Sequence, residues 1–242
     1  MALHLAERGH DVAIHYSGSK DEAEETAAEI RGFGVKAQTF QADLLDVGVT
    51  ARLVPQVAEA MGQLTVLVNN ASIFEYDNIH NSTMEGWDRH IGSNLRAPFQ
   101  LIQAFAAQAP APRRDENGEP EAQALVVNIV DQRVLKPTPE FMTYSLAKAG
   151  LWSLTRTAAQ ALAPAIRVNA IGPGPTLIGS RQSESHFAAQ RANAILGRGS
   201  DPEGIVRALG FLLDSRAVTG QLICVDGGQH LGWKTPDVLG RE

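Results

Sequence analysis

Short apolar runs alternate with helical stretches along almost the whole chain, and no other feature limits the possible folds as strongly. The runs cover residues 12–16, 37–42, 64–69, 125–130, 167–171 and 222–225, and they are rich in valine, isoleucine and leucine. Several are nearly continuous in apolar residues, the pattern of strands covered on both faces. Helix punctuation separates them. Residues 3–9 read as the last turns of a helix ended by Gly9. Ser19 with Glu22 reads as a capping box, and Gly34 closes the helix it opens. Ser200 or Asp201 with Pro202 caps a helix over 203–213. Pro55 and Pro98 fall in helical patterns and should kink them or mark first turns. Strand–helix–strand repetition implies right-handed crossovers, hence an α/β fold of the doubly wound, Rossmann type, with helices on both faces of a parallel sheet. Ligands of such sheets sit outside the carboxyl ends of the strands, so the residues after each strand are the ones to read.

The chain has 242 residues, enough for a single domain over 1–242. Residues 110–123 (PAPRRDENGEPEAQ) lack periodicity and read as an exposed loop. The formal charge of −6 and pI near 5.7 argue against nucleic-acid binding. No apolar run is long enough to span a bilayer, and the start lacks the apolar core of a signal peptide. Cys224 is the only cysteine, so an intrachain disulfide and a cysteine metal cluster are excluded, and no metal is expected. These features together point to a cytoplasmic protein.

A doubly wound nucleotide-binding fold normally begins one strand earlier than this chain does. That strand ends in a glycine-rich turn whose amides hold a pyrophosphate. No such glycine stretch occurs here. The first strand of such a sheet is central, and leaving its neighbours unpaired is costly. The chain is therefore expected to be shortened at its start by roughly 20 residues, the length of a strand plus glycine turn. The alternative is a chain that folds without them.

Tyr144 and Lys148 lie four apart in YSLAK, on one face of a helix. An ammonium near a phenol favours the phenolate and lowers the tyrosine pKa, and a tyrosine so tuned can move a proton as a hydride is transferred. The pair alone is weak evidence, but Asp131 follows one strand and LVNNA (67–71) closes another. Asn94 stands inside a long helical pattern, where asparagine is intrinsically unfavourable. Asp43 and Leu44, Pro173 and Gly174, and VDGG (225–228) follow further strands.

The LVNNA, Asn94, YxxxK, RVNxIxPG and VDGG segments together resemble the short-chain dehydrogenase/reductases, in family order and at similar spacing. The resemblance implies that Tyr144 donates a proton, that Lys148 holds the nicotinamide ribose, and that Asn94 supports a water relay to Lys148. It implies further that Asn70, Ala71 and Ser72 line the cofactor, that Pro173, Gly174 and Thr176 meet its nicotinamide end, and that Asp43 and Leu44 flank its adenine. Family members assemble as tetramers, so a homotetramer acting on a small-molecule substrate is expected. Trp87, Trp152 and Trp233 read as packing or interface residues; Leu151, Leu154 and the 99–105 stripe fit interface or core equally well.

Two departures carry information. The family usually has serine thirteen residues before the tyrosine; here that position is Asp131. An ionised carboxylate would repel a developing oxyanion, whereas a carboxyl beside a tyrosine could help move a proton toward a ring nitrogen. Pteridine and dihydrofolate reductases of this superfamily have aspartate there, and they also resemble this chain in NNASxF and GSNxxAP, which makes Phe74 a candidate pocket residue. A small carbonyl substrate, such as a 3-oxoacyl compound, and a catalytically silent binding subunit are the alternatives. In the second departure, Tyr16 ends the first run and Ser17, Ser19 and Lys20 follow it, with no acid before Asp21. A hydroxyl, a helix N-terminus and a lysine suit a 2′-phosphate, so NADP(H) is expected rather than NAD. Substrate selection is expected in the loop at 177–194.

Overall fold

The computed structural model describes residues 1–179 and 182–234. The described residues form eight strands and eight α-helices, and six of the strands fall on the apolar runs of the sequence. In chain order they are α1 (Ala2–Glu7), β1 (Val12–Tyr16), α2 (Lys20–Arg31), β2 (Ala37–Gln41), α3 (Val47–Met61), β3 (Val66–Asn69), α4 (Met84–Ile91), α5 (Ala97–Gln108), β4 (Arg113–Arg114), β5 (Pro120–Glu121), β6 (Ala124–Ile129), α6 (Met142–Leu162), β7 (Ile166–Pro173), α7 (Glu184–Ala192), α8 (Pro202–Asp214) and β8 (Leu222–Val225).

The parallel strands form two half-sheets rather than one continuous sheet. One has the order β3-β6-β7-β8 and the other is the pair β1-β2. A cleft of about 640 Å³ separates them, lined by Val12, Ala13 and Ile14 on one side and Val66, Leu67 and Val68 on the other. The larger half-sheet is the better packed. All of β6 is buried, with Phe105 and Val168 in the core on one side and Leu209 and Ile171 on the other.

Local chemistry explains most element boundaries and corrects some expectations. Asp46, Thr83, Ser183 and Asp201 each accept a backbone N–H of the helix they open. Ser19 precedes α2 but its hydroxyl caps nothing, so the capping box with Glu22 does not form. Pro98 stands in the first turn of α5, where the missing N–H costs little, whereas Pro55 is inside α3. Residues 110–123 are not a plain loop. Arg113 and Arg114 pair with Glu121 and Pro120 as an antiparallel hairpin, and Glu121 binds Arg113 at 2.5 Å and Arg216 at 2.7 Å. The 177–194 segment contains α7; its residues 180 and 181 lie outside those described. Leu151 and Phe105 are core residues, while Phe99 is half exposed. Among the described residues no helix is long and apolar enough to cross a membrane.

Candidate active site

The carboxyl ends of β3, β6, β7 and β8 converge on one patch. Asp131 follows β6 and opens a short 3-10 turn, with its carboxylate accepting the Arg133 N–H at 2.9 Å. Tyr144 and Lys148 project from the first two turns of α6, and both are buried. The Tyr144 hydroxyl donates to Asp131 Oδ2 at 3.0 Å. The same carboxylate oxygen lies 3.3 Å from Arg133 Nη1. Lys148 Nζ donates to the Ile129 carbonyl at 2.8 Å and sits 5.7 Å from the Tyr144 ring centroid.

The electrostatics differ from the sequence expectation. The Tyr144 pKa is raised well above its ordinary value, first by burial and then by the Asp131 carboxylate; Arg133 and a Ser72 hydroxyl contact oppose the shift only in part. The expected lowering by Lys148 is absent, because the carboxylate, not the ammonium, meets the hydroxyl. Burial brings Lys148 itself down to about 8. At neutral pH the site therefore holds a protonated phenol.

Asn94 lies in a π-helical turn between α4 and α5. Its side chain accepts the Ile73 N–H at 2.9 Å and donates to the Ile73 carbonyl at 2.8 Å. It thus anchors the segment after β3. That segment carries Phe74 against Tyr144, edge to face, with centroids 4.7 Å apart. Phe141, at φ +55°, stacks on Phe74 with a centroid distance of 4.3 Å. The Arg133 guanidinium lies 5.6 Å and 5.2 Å from these two ring centroids. Arg133 and Phe141 were missed by sequence reasoning. A base two residues beyond a strand-end acid was an available signal for Arg133; Phe141 had none.

The other expected residues occupy the rim. Asn70, Ala71 and Ser72 are exposed at the end of β3. Gly174 donates to the Val225 carbonyl at 2.9 Å, and a Cβ there would come within 2.6 Å of Asp226 Cβ, so only glycine fits. Thr176 Oγ1 donates to the Gly174 carbonyl at 3.0 Å. On the smaller half-sheet, Ser17, Ser19 and Lys20 are exposed beyond Tyr16. Asp43 accepts the Leu45 N–H at 2.9 Å, and Leu44 is buried.

One cluster tests the no-metal expectation. The ligand atoms of Cys224, Asp226 and His230 lie within 4.8 Å of one another. The Asp226 carboxylate is already occupied by the Gly228 and His230 N–H groups and the His230 ring. Burial pushes the Cys224 thiol up to about 11. Hydrogen bonding accounts for this turn.

A nicotinamide cofactor fits the observed donors at one end. Lys148 is a buried ammonium with three N–H donors, of which the Ile129 carbonyl takes one. Such a group suits ribose hydroxyls. Among the described residues no glycine-rich turn faces the cleft.

Residues 1–230 match the family described as enoyl-(acyl carrier protein) reductase. The chain is 33% identical to a Staphylococcus aureus 3-oxoacyl-(acyl-carrier-protein) reductase FabG, over 96% of this chain and 92% of that protein. It is 43% identical to the FolM alternative dihydrofolate reductase 1 of Brucella suis, solved in complex with NADP, with a TM-score of 0.89 over 98% of this chain and 92% of that one. A blue fluorescent protein from a metagenomic library, solved with NADPH, is 29% identical with a TM-score of 0.82 over 93% and 90%. With the buried Tyr144–Lys148 pair at the mouth of a parallel sheet, these likenesses show that the chain belongs to the short-chain dehydrogenase/reductase superfamily.

Proposed function

We propose that the protein is an NADP(H)-dependent reductase that saturates a C=N bond in a flat nitrogen heterocycle of the pteridine or dihydrofolate class. The observation that carries this reading is the Tyr144 hydroxyl donating to Asp131 at 3.0 Å, where reductases of simple carbonyls have a neutral serine. The 43% identity to a structure described as an alternative dihydrofolate reductase supports it. The proposal includes a cytoplasmic homotetramer. The exposed Phe99, Leu146 and Trp87 on α5, α6 and α4 supply apolar surface for such an assembly.

When bound, the cofactor supplies a hydride to the carbon of the C=N bond. Lys148 would hold its ribose; Asn70, Ala71, Ser72, Pro173, Gly174 and Thr176 would line its nicotinamide end. Tyr16, Ser17, Ser19 and Lys20, with Asp43 and Leu44, would meet its adenosine 2′-phosphate end. Tyr144 delivers the proton to the substrate nitrogen. Its raised pKa keeps the proton in place until negative charge builds on that nitrogen, because burial and then the Asp131 carboxylate disfavour the phenolate. The same penalty drives reprotonation afterwards, and the Lys148 ammonium is the nearby buried acid, with a pKa of about 8. Phe74 offers an aromatic face to the ring, and Asp131 accepts N–H donors on its edge.

Reduction of a carbonyl in a 3-oxoacyl substrate is the second reading, favoured by the 33% identity to the S. aureus enzyme. NADPH oxidation with a dihydropterin, and separately with a 3-oxoacyl thioester, distinguishes the two. The dihydropterin should be preferred, and Asp131→Ser should shift the ratio of kcat/KM values toward the thioester by about a hundredfold. Wild-type preference for the thioester, or an unchanged ratio in the variant, would overturn the pteridine reading.

A further inference from the structure

Behind Tyr144 runs a buried series of hydrogen bonds that the proposed reaction does not use. It joins the segment after β3, helix α4 and the first turn of α6. The Glu75 N–H donates to His90 Nε2 at 3.1 Å, so that nitrogen carries the lone pair. The neutral ring then holds its proton on Nδ1, 2.7 Å from Thr143 Oγ1. Thr143 Oγ1 donates in turn to the Asp77 carboxylate, which also accepts the Thr143 N–H at 3.2 Å. Each link has one permitted direction. The other tautomer would set a ring N–H against the Glu75 N–H, donor against donor. His90, Thr143 and Asp77 are all buried, so bulk water does not offer replacement partners.

Two members of this series, Glu75 and Thr143, bear directly on the catalytic phenol. Glu75 follows Phe74, whose ring packs on Tyr144, and Thr143 immediately precedes Tyr144. The Asp77 carbonyl also accepts the Phe141 N–H at 2.8 Å, holding the residue that leads into α6 in its left-handed conformation.

We propose that His90 is a positioning residue for Tyr144: its Nδ1-protonated neutral ring registers the phenol against the Phe74 wall, and a second proton on the ring breaks that register. The inference rests on the reading of Tyr144 as proton donor. In the imidazolium both nitrogens are donors, and the Glu75 N–H loses its acceptor. The charged groups facing the ring are Asp77 and Glu75, which favour the cation, and Arg89, which opposes it; the Gly86 backbone also favours it. The α6 side of the ring presents the Thr143 hydroxyl and the Tyr144 ring, whose centroid is 6.2 Å away. Burial outweighs the acids and holds the imidazole below its ordinary value.

Two measurements test this. Nitrogen-edited NMR of the histidine rings in the wild-type chain, assigned with His90→Gln, should show His90 as the Nδ1–H tautomer, still mostly neutral at about pH 6.5, the ordinary imidazole midpoint. An Nε2–H tautomer, or a ring already mostly charged at about pH 6.5, would overturn the proposal without reference to activity. In kinetics, Thr143→Val should lower kcat about tenfold with KM little changed, because a small misplacement of a reacting group is costly. Thr143→Ser should restore kcat. Wild-type kcat in Thr143→Val would also overturn it. Tyr144→Phe separates the two failures: if that variant stays active, the proton-donor reading is wrong, whereas an inactive Tyr144→Phe beside a fully active Thr143→Val rejects the His90 role alone.

Discussion

The two half-sheets differ in how firmly they hold what is mounted on them. In the four-stranded half, every residue of β6 is buried, and the polar groups of Asn94, Asp131, Tyr144 and Lys148 all have hydrogen-bond partners. In the two-stranded half, only Val12 of β1 and no residue of β2 is buried, and Ser17, Ser19 and Lys20 stand in solvent. Proton transfer needs reacting groups fixed to within a fraction of an ångström. Recognition of a phosphate by charge and helix N-terminus tolerates more movement. The proposed chemistry sits on the rigid half, and the proposed nucleotide-tail contacts sit on the softer one.

The largest expected effect tests that placement. Tyr144→Phe should cut turnover by about 10²- to 10⁴-fold, the usual contribution of a general acid, with the urea midpoint unmoved. A variant that keeps its turnover would remove the chemistry from the rigid half. Leu209→Ala, in the core against β6 and β7, should cost about 2–5 kcal/mol, whereas Ile14→Ala, partly buried on β1, should cost less than half as much in the same urea titration. Amide exchange should sharpen the contrast, with β6 and β7 protected nearly to global unfolding and β1 and β2 opening earlier. Equal costs and equal protection would erase the distinction.

A pH series separates function from stability at one residue. Lys148 has a folded-state pKa of about 8, below its unfolded value near 10.5. Activity that needs the ammonium should fall as pH rises through about 8. Over the interval from there to 10.5 the unfolded chain binds the proton that the folded chain has lost, so Lys148 adds stability with rising pH. Lys148→Met should abolish that component of the stability profile. The smallest effect belongs to the softer half. Lys20→Ala should weaken NADPH binding by no more than about fivefold, as befits an exposed charge contact, and should leave folding unchanged by calorimetry.

Much of the rigid half was legible in the sequence, because strands buried on both faces must be apolar throughout, and because a tyrosine and lysine four apart share a helix face. The hairpin at Arg113–Arg114 and Pro120–Glu121 was not, since Arg216, which helps fix Glu121, is remote in sequence. The direction of the Tyr144 shift was misread for a related reason: local spacing pointed to Lys148, while the fold brings Asp131 to the hydroxyl. The series through His90 was equally hidden, with Asp77 and Thr143 separated by 66 positions. Ser19 shows the converse. Its residue type suits a cap, but the hydroxyl makes no bond to the helix.

The cleft between the half-sheets has a colloidal consequence. β1 pairs only with β2 and β3 only with β6 among the described residues, so each presents one unladdered rim of amides and carbonyls beside an apolar trough. Such rims template pairing between molecules. Residues 1–242 refolded alone should therefore lose recovery steeply with protein concentration, and light scattering during refolding would register it before any loss of secondary structure.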